Sequence, residues 1–298
     1  MSLALSERLE AAGQAMGYEK ALALLELAHI AWYVDSESAD HYLSESLALS
    51  HRLENPWLLA RALQEKARVV QIAGYFREAH RLASQSLSLW QALGDRASHY
   101  NTLVVLGWSA MKLDQTDEAF AFVRQQRELA ERAGNPAQLA GSYFNEGAVL
   151  EQCGHFAAAA DAYTHSLEIA KSTGLRHNMG STGTKLAYMR VQLGQYESAL
   201  ALARTILEGA DVMGMTSHRA HALAAAGLAH LGRGEYALAG PPLAESERIF
   251  HQIGQHAIYH IKIDGFLGYL ARWEGDHQRA WAHLLRSLRW GIEREDLR

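Results

Sequence analysis

Apolar positions along this chain alternate between two kinds of segment, both with helical spacing. From 97 to 112, "ASHYNTLVVLGWSAMK" repeats apolar residues at three and four, and after a short break "EAFAFVRQQRELAERA" at 118–133 does so again. A tight turn at 114–117 joins them, and Gly134 follows the second as a C-terminal stop. The unit predicted is helix A, turn, helix B, loop. It recurs: GYFREA, DQTDEA, GHFAAA, GQYESA and GEYALA start at 74, 114, 154, 194 and 234, forty residues apart. Gly94, Gly134, Gly174, Gly214 and Gly254 form a second series in the same register. Two independent sets of punctuation at one period mark a repeat protein.

Other positions recur with them. Helix A carries a small residue at Ala67, Gly107, Gly147, Ala187 and Gly227, and helix B opens on Ala39, Ala79, Ala119, Ala159, Ala199, Ala239 and Ala280. Both spots let paired helices approach closely. Pro56 and Pro136 each follow an Asn, and Asn at the N-cap with Pro at the first helical position is a favoured start. The B helices are expected near 36–53, 76–93, 116–133, 156–173, 196–213, 236–253 and 277–294. Pro241 and Pro242 interrupt the sixth. A proline inside a helix loses a backbone hydrogen bond, so this helix is expected to restart there after an irregular 235–240.

On these residues the chain resembles the tetratricopeptide repeat (TPR) family: a small residue in helix A, then G-x-[YFH]-x-x-A across the turn. The match is most specific over 57–254, and the forty-residue period is similar to the long-helix type of bacterial regulatory proteins. It departs at Asp114 and Thr116, and at Leu63, Leu103, Gly183 and Leu223, where an early aromatic is retained only as Tyr143. The resemblance implies an all-α, right-handed superhelix (α-solenoid) of about seven TPR-like helix-turn-helix repeats, its A helices lining a concave face. The expected layout is a single repeat domain over 1–298. A half-repeat at 1–16 precedes repeats at roughly 17–55, 56–95, 96–135, 136–175, 176–215, 216–255 and 256–298.

Projecting the register onto that face gives the candidate binding residues: Arg61, Gln64, Arg68 and Gln71, then Asn101 and Trp108, then Phe144, Asn145 and Glu151, then Ser181, Thr184, Lys185 and Tyr188. The groove is cationic at one end and aromatic in the middle, which suits an extended peptide or helix. Trp108, Phe144 and Tyr188 read either as anchors for such a chain or as packing between successive A helices.

The run GSTGTK at 180–185 has the look of a phosphate loop, but no Gly-Lys-Ser/Thr follows and no strand precedes it. The register makes it a helix A. Gly180 and Gly183 weaken that helix, and Gly183 sits where a counterpart repeat has Tyr143. Either a bulky neighbour uses the room, or a ligand notch opens there, rimmed by Ser181, Thr184, Lys185 and Tyr188.

Composition changes this picture little. Of 298 residues 20% are charged, with a net charge of −5, which argues against a general nucleic-acid surface. No apolar run reaches the length of a membrane span. The single cysteine, Cys153, reads as packing and fits a reducing, cytoplasmic setting. Eight of the histidines lie from His218 onward, and His256, His260 and Asp264 share one helical face. No cysteine joins them and no H-E-x-x-H occurs, so no metal and no cofactor is expected. No nucleophile–base arrangement stands out, and no catalytic residue is assigned. On the last helix Trp281, Leu284, Leu285, Leu288 and Ile292 form an apolar stripe. It either packs wholly on the preceding helix or meets a second copy or a further domain.

The function expected is therefore a non-enzymatic scaffold that binds a protein or peptide. The resemblance implies the sensory or partner-binding module of a bacterial signalling or transcription-regulatory protein. A small-molecule sensor domain of a larger regulator is the alternative, and an enzyme with an unrecognised groove site a remote one.

Overall fold

A computed structural model of the chain describes residues 17–31, 36–214, 216–253 and 258–295. The half-repeat expected at 1–16 lies outside them. Among the described residues there are fourteen helices and no strand. They are α1 (Tyr18–Ala31), α2 (Ser36–Arg52), α3 (Pro56–Ile72), α4 (Phe76–Leu93), α5 (Arg96–Lys112), α6 (Thr116–Ala133), α7 (Pro136–Gln152), α8 (Phe156–Thr173), α9 (Arg176–Gln192), α10 (Tyr196–Met213), α11 (Thr216–Gly232), α12 (Tyr236–Gln252), α13 (Ile258–Trp273) and α14 (His277–Glu295). Odd-numbered helices are the A helices and even-numbered ones the B helices. The bounds follow the forty-residue register within two residues, and GSTGTK lies inside α9.

The chain divides into two compact units, residues 1–138 and 139–298, the division falling in the first turn of α7. Within each unit an A helix packs on its own B helix, and that B helix on the next A helix. Successive A helices also touch: α1 with α3 and α3 with α5 in the first unit, α9 with α11 in the second.

The punctuation has the predicted chemistry. Gly94, Gly134, Gly174 and Gly214 end their helices in the left-handed conformation. After Gly94 the Asp95 N–H returns to the Trp90 carbonyl, the Schellman pattern that satisfies a helix's last acceptors. Asp114, which replaces a turn glycine, takes φ 58°, a conformation Asp tolerates better than most residues. Asn55 and Asn135 cap α3 and α7: the Asn55 carboxamide accepts from Leu58 N at 3.0 Å, and that of Asn135 from Ala137 N at 3.0 Å. The small residues that open the B helices at Ala39, Ala79, Ala119, Ala159, Ala199 and Ala239 have no exposed surface.

A further register ties the layers together. Ser46, Ser86, Ser166 and Ser246, on B helices, are fully or almost fully buried. Each hydroxyl donates to a carbonyl of its partner A helix, at Ala21, Ala60, Ala140 and Ala220, over 2.7–3.0 Å. In α6 the position is Gln126, whose amide reaches the Leu103 carbonyl at 3.0 Å, and in α10 it is Ile206.

One expectation fails. α12 runs unbroken from Tyr236 to Gln252 with Pro241 and Pro242 inside it, and does not restart at the prolines. The missing N–H groups would have bonded to the carbonyls of Ala237 and Leu238. Both residues are exposed, so water reaches those acceptors. Burial of Leu243, Ile249 and Phe250 further along, each worth about 1.5–3 kcal/mol, outweighs the ~3 kcal/mol typical of an interior proline.

Candidate functional site

In the first unit the expected inward residues divide into two groups. Gln64 is buried, and its carbonyl oxygen accepts from the indole N–H of Trp90 at 3.0 Å. Gln71 joins α3 to α5, its amide donating to the Val105 carbonyl and the Ser109 hydroxyl at 2.7 Å each. Both are spent on the fold. Arg61 and Arg68 stay at the surface and share one carboxylate. Glu65 accepts from Arg61 at 3.2 Å and from Arg68 at 2.9 Å, with Arg68 also 2.7 Å from the His29 ring. Two guanidiniums against one carboxylate leave one net positive charge and several unused N–H donors. Glu65 escapes a projection of inward positions; its i+4 and i+3 spacing to the two arginines is the signal that finds it. Asn101 is exposed and Trp108 half-buried at the matching turns of α5.

In the second unit the expected residues are drawn inward. Phe144 packs on Tyr163 with ring centroids 5.5 Å apart, and Asn145 is buried. Glu151 accepts from the Tyr163 hydroxyl at 2.7 Å and from Lys185 at 3.0 Å. Ser181 bonds His218 at 3.1 Å, and Thr184 is buried with its hydroxyl on the Ser181 carbonyl. Tyr188 packs against two core clusters and meets His221 edge-on at 6.4 Å. His221 in turn stands edge-on to Phe250 at 4.8 Å. Burial, then Lys185 and His218, push the His221 imidazole down to about 4, so it is neutral at pH 7.

The two glycines of GSTGTK are explained by their neighbours. A Cβ on Gly183 would lie 3.1 Å from the Ile206 methyl, and one on Gly180 would strike the His218 ring at 2.6 Å. The room at Gly183 is taken by Ile206, so the notch expected there is filled. A cleft open to solvent does exist beside Gly180, between α8, α9, α10 and α11. Ser181, Thr184, Lys185 and Tyr188 do not line it.

Metal-binding chemistry has one candidate among the described residues. Ligand atoms of Glu247, Asp264 and His283 lie within 4.8 Å of one another. Arg286 reaches all three, at 3.2 Å, 2.9 Å and 2.7 Å. The guanidinium already supplies the cation there, and the group reads as an ion-pair network joining α12, α13 and α14. Burial, then the Asp264 charge, raise the Glu247 carboxyl above its ordinary value. The side chains of His256 and His260 lie outside the described residues. On α14 Trp281, Leu284 and Leu288 are exposed, and Leu285 is half-buried, so the stripe does not pack wholly on α13. The side chain of Ile292 lies outside the described residues. No helix among the described residues is long and apolar enough to cross a membrane.

Solved structures share this architecture. A Rap protein in complex with competence and sporulation factor superposes with a TM-score of 0.75 at 12% identity, covering 98% of this chain and 80% of its own. The Rap conjugation gene regulator of plasmid pLS20, in complex with the Phr* peptide, gives 0.69 at 15%, covering 93% and 75%. A signal transduction ATPase with a tetratricopeptide repeat sensor, from Pyrococcus horikoshii, gives 0.70 at 16%, covering 92% of this chain and 43% of that one. The fold is of the tetratricopeptide repeat type. No family model matches the chain, and no curated protein matches its sequence.

Proposed function

We propose that this tetratricopeptide repeat chain is a regulatory scaffold that binds a peptide or protein segment on its A-helix surface. The observation that carries this reading is the pair of guanidiniums, Arg61 and Arg68, sharing the single carboxylate of Glu65. Their free donors suit a carboxylate, from an acidic side chain or a peptide C-terminus. Asn101 and Trp108, one register on, offer an amide and a ring to the same segment. Two proteins of similar fold are described as complexes with a peptide or a factor, which supports the class of ligand and not its identity. The reading extends to a cytoplasmic bacterial regulator whose effector is biased by capture, and assigns the chain no reaction of its own.

The test is a peptide selected from a random library on the intact chain, with binding followed by fluorescence anisotropy at fixed salt. Arg61→Gln/Arg68→Gln is expected to weaken binding at least about ten-fold, some 1.4 kcal/mol, without lowering the melting temperature. Equal affinity for wild type and variant would sink the reading.

A further inference from the structure

The cleft beside Gly180 has an origin in the repeat register. Near their C-terminal ends the B helices α2, α4, α6, α8 and α12 carry Leu49, Leu89, Leu129, Ile169 and Ile249 at one position. Leu49 and Ile249 are buried, and Leu89 and Leu129 pack against a core cluster. At that position α10 has Gly209. Next to it, Ala210 is small like Ala130 of α6 and Ala170 of α8, whereas α4 has Trp90 and α12 has Phe250 there, both fully buried. The side chain that α2, α4, α6, α8 and α12 carry at the Gly209 position is thus missing from α10, and Gly209 lines the cleft. A glycine in a helix interior and unfilled apolar space each cost stability. A ligand would recover part of that cost.

The lining states what kind of ligand. Leu167, Met179, Leu202 and Ile206 make apolar walls, and Lys171 and Arg176 are exposed at the edge. No carboxylate lines the cleft among the described residues. His218 completes the wall, its imidazole pushed below its ordinary value by burial and then by His177. That leaves it an uncharged polar edge rather than a third cation. A solvent-open apolar cleft with two cations at its mouth complements a molecule with an apolar body and an anionic head. The guanidinium of Arg176 suits a carboxylate.

We propose that the cleft between α8, α9, α10 and α11 binds a small amphipathic carboxylate, its apolar body on Leu167, Met179, Leu202 and Ile206 and its head at Lys171 and Arg176. The proposal does not depend on the peptide-binding reading.

Octanoate is the probe, titrated into the full chain labelled with ¹³C at the methionine methyls, with calorimetry in parallel. A saturable shift of the Met179 methyl is expected, with Kd on the order of a millimolar or tighter. Gly209→Leu restores the residue of the other repeats and improves the helix. It is expected to keep or raise the melting temperature while weakening octanoate at least about ten-fold. Thr205→Phe fills the cleft from its exposed side and is expected to act alike. Lys171→Glu/Arg176→Glu is expected to weaken octanoate to the affinity of octanol. Arg61→Gln/Arg68→Gln is expected to leave octanoate binding unchanged, which separates this site from the A-helix surface. No saturable shift overturns the proposal, as does octanoate binding that survives both filling variants. Octanol or octyltrimethylammonium binding as tightly as octanoate overturns it too.

Discussion

The repeat of α3 and α4 in the first unit is filled with large side chains, whereas that of α9 and α10 in the second trades volume between facing helices. In the first, Trp90 occupies the end of α4, is fully buried, and is held by Gln64. In the second, the equivalent of Trp90 is Ala210 and that of Leu63 is Gly183. The serine of the interhelix bond has become Ile206, which uses the space Gly183 vacates. One frame of forty residues therefore tolerates opposite solutions, provided that volume lost at one position reappears across the helix pair. At Gly183 it reappears. At Gly209 it does not, and the unfilled remainder is the cleft. Charge divides in the same way. The first unit keeps two guanidiniums at its surface around Glu65, while the second pairs Lys185 with Glu151 one to one.

The largest test of this contrast rewrites α4 in the manner of α10. Trp90→Ala puts alanine where α6, α8 and α10 already have it. It removes a fully buried indole and leaves the Gln64 carboxamide without its donor. A cost of about 3–5 kcal/mol is expected from urea denaturation. Trp57, which meets Trp90 edge-on at 6.0 Å, lies at the surface and cannot refill the space without moving. A loss under about 1 kcal/mol would mean that the repeat of α3 and α4 collapses as readily as that of α9 and α10 has, and the contrast would fail.

Acid should separate the units next. His221 is neutral in the folded second unit down to about pH 4, while an unfolded histidine takes its proton near 6.5. Between those values the unfolded chain binds more protons. The stability from this group is therefore fully present above pH 6.5 and is lost as pH falls toward 4. The loss amounts to about 3 kcal/mol. His218, lowered by burial and His177, acts in the same direction in the same unit. In the first unit His99, lowered by burial alone, also acts in this direction. Native-state hydrogen exchange at pH 7 and pH 4.5 should show protection falling more in α9 and α11 than in α3 and α5. His221→Phe should reduce that excess. Equal loss in both units, unchanged by the variant, would refute the assignment.

The architecture was legible because its marks are local. A left-handed glycine after a helix, an asparagine before a proline, and alanine at a crossing each act within a few residues, and the register repeats them. The site was legible only in part. The register places Arg61 and Arg68 on one face of α3 and they stay partly exposed, yet Gln64 and Gln71, projected to the same face, are consumed by Trp90 and by α5. Which of the two happens depends on partners 26 to 38 residues away. The prolines of α12 misled because the pattern could not say that Ala237 and Leu238 face water. The meaning of Gly183 was hidden for a similar reason: its explanation, Ile206, lies on another helix. The serine series at 46, 86, 166 and 246 was present in the sequence, and aligning the B helices at that position exposes Ile206 as the exception. The same alignment exposes Gly209.

That exchange of volume is itself measurable, with the smallest expected effect of the three. Gly183→Leu supplies the residue of Leu63, Leu103 and Leu223 but drives it into Ile206, whose methyl lies 3.1 Å from the position of the new Cβ. Overpacking of this kind costs about 1–3 kcal/mol. Ile206→Ser alone removes the side chain that fills the gap and leaves a void beside Gly183. Combined, the two changes restore the pattern of the other repeats. The hydroxyl would then stand opposite the Gly180 carbonyl, as Ser166 does to Ala140 and Ser246 to Ala220. The double variant should therefore be more stable than the sum of the single costs allows, with a coupling of about 1–3 kcal/mol from denaturant midpoints. Simple additivity would show that Gly183 and Ile206 do not compensate each other, and that the second unit's glycines mark loose packing rather than a redistribution of volume.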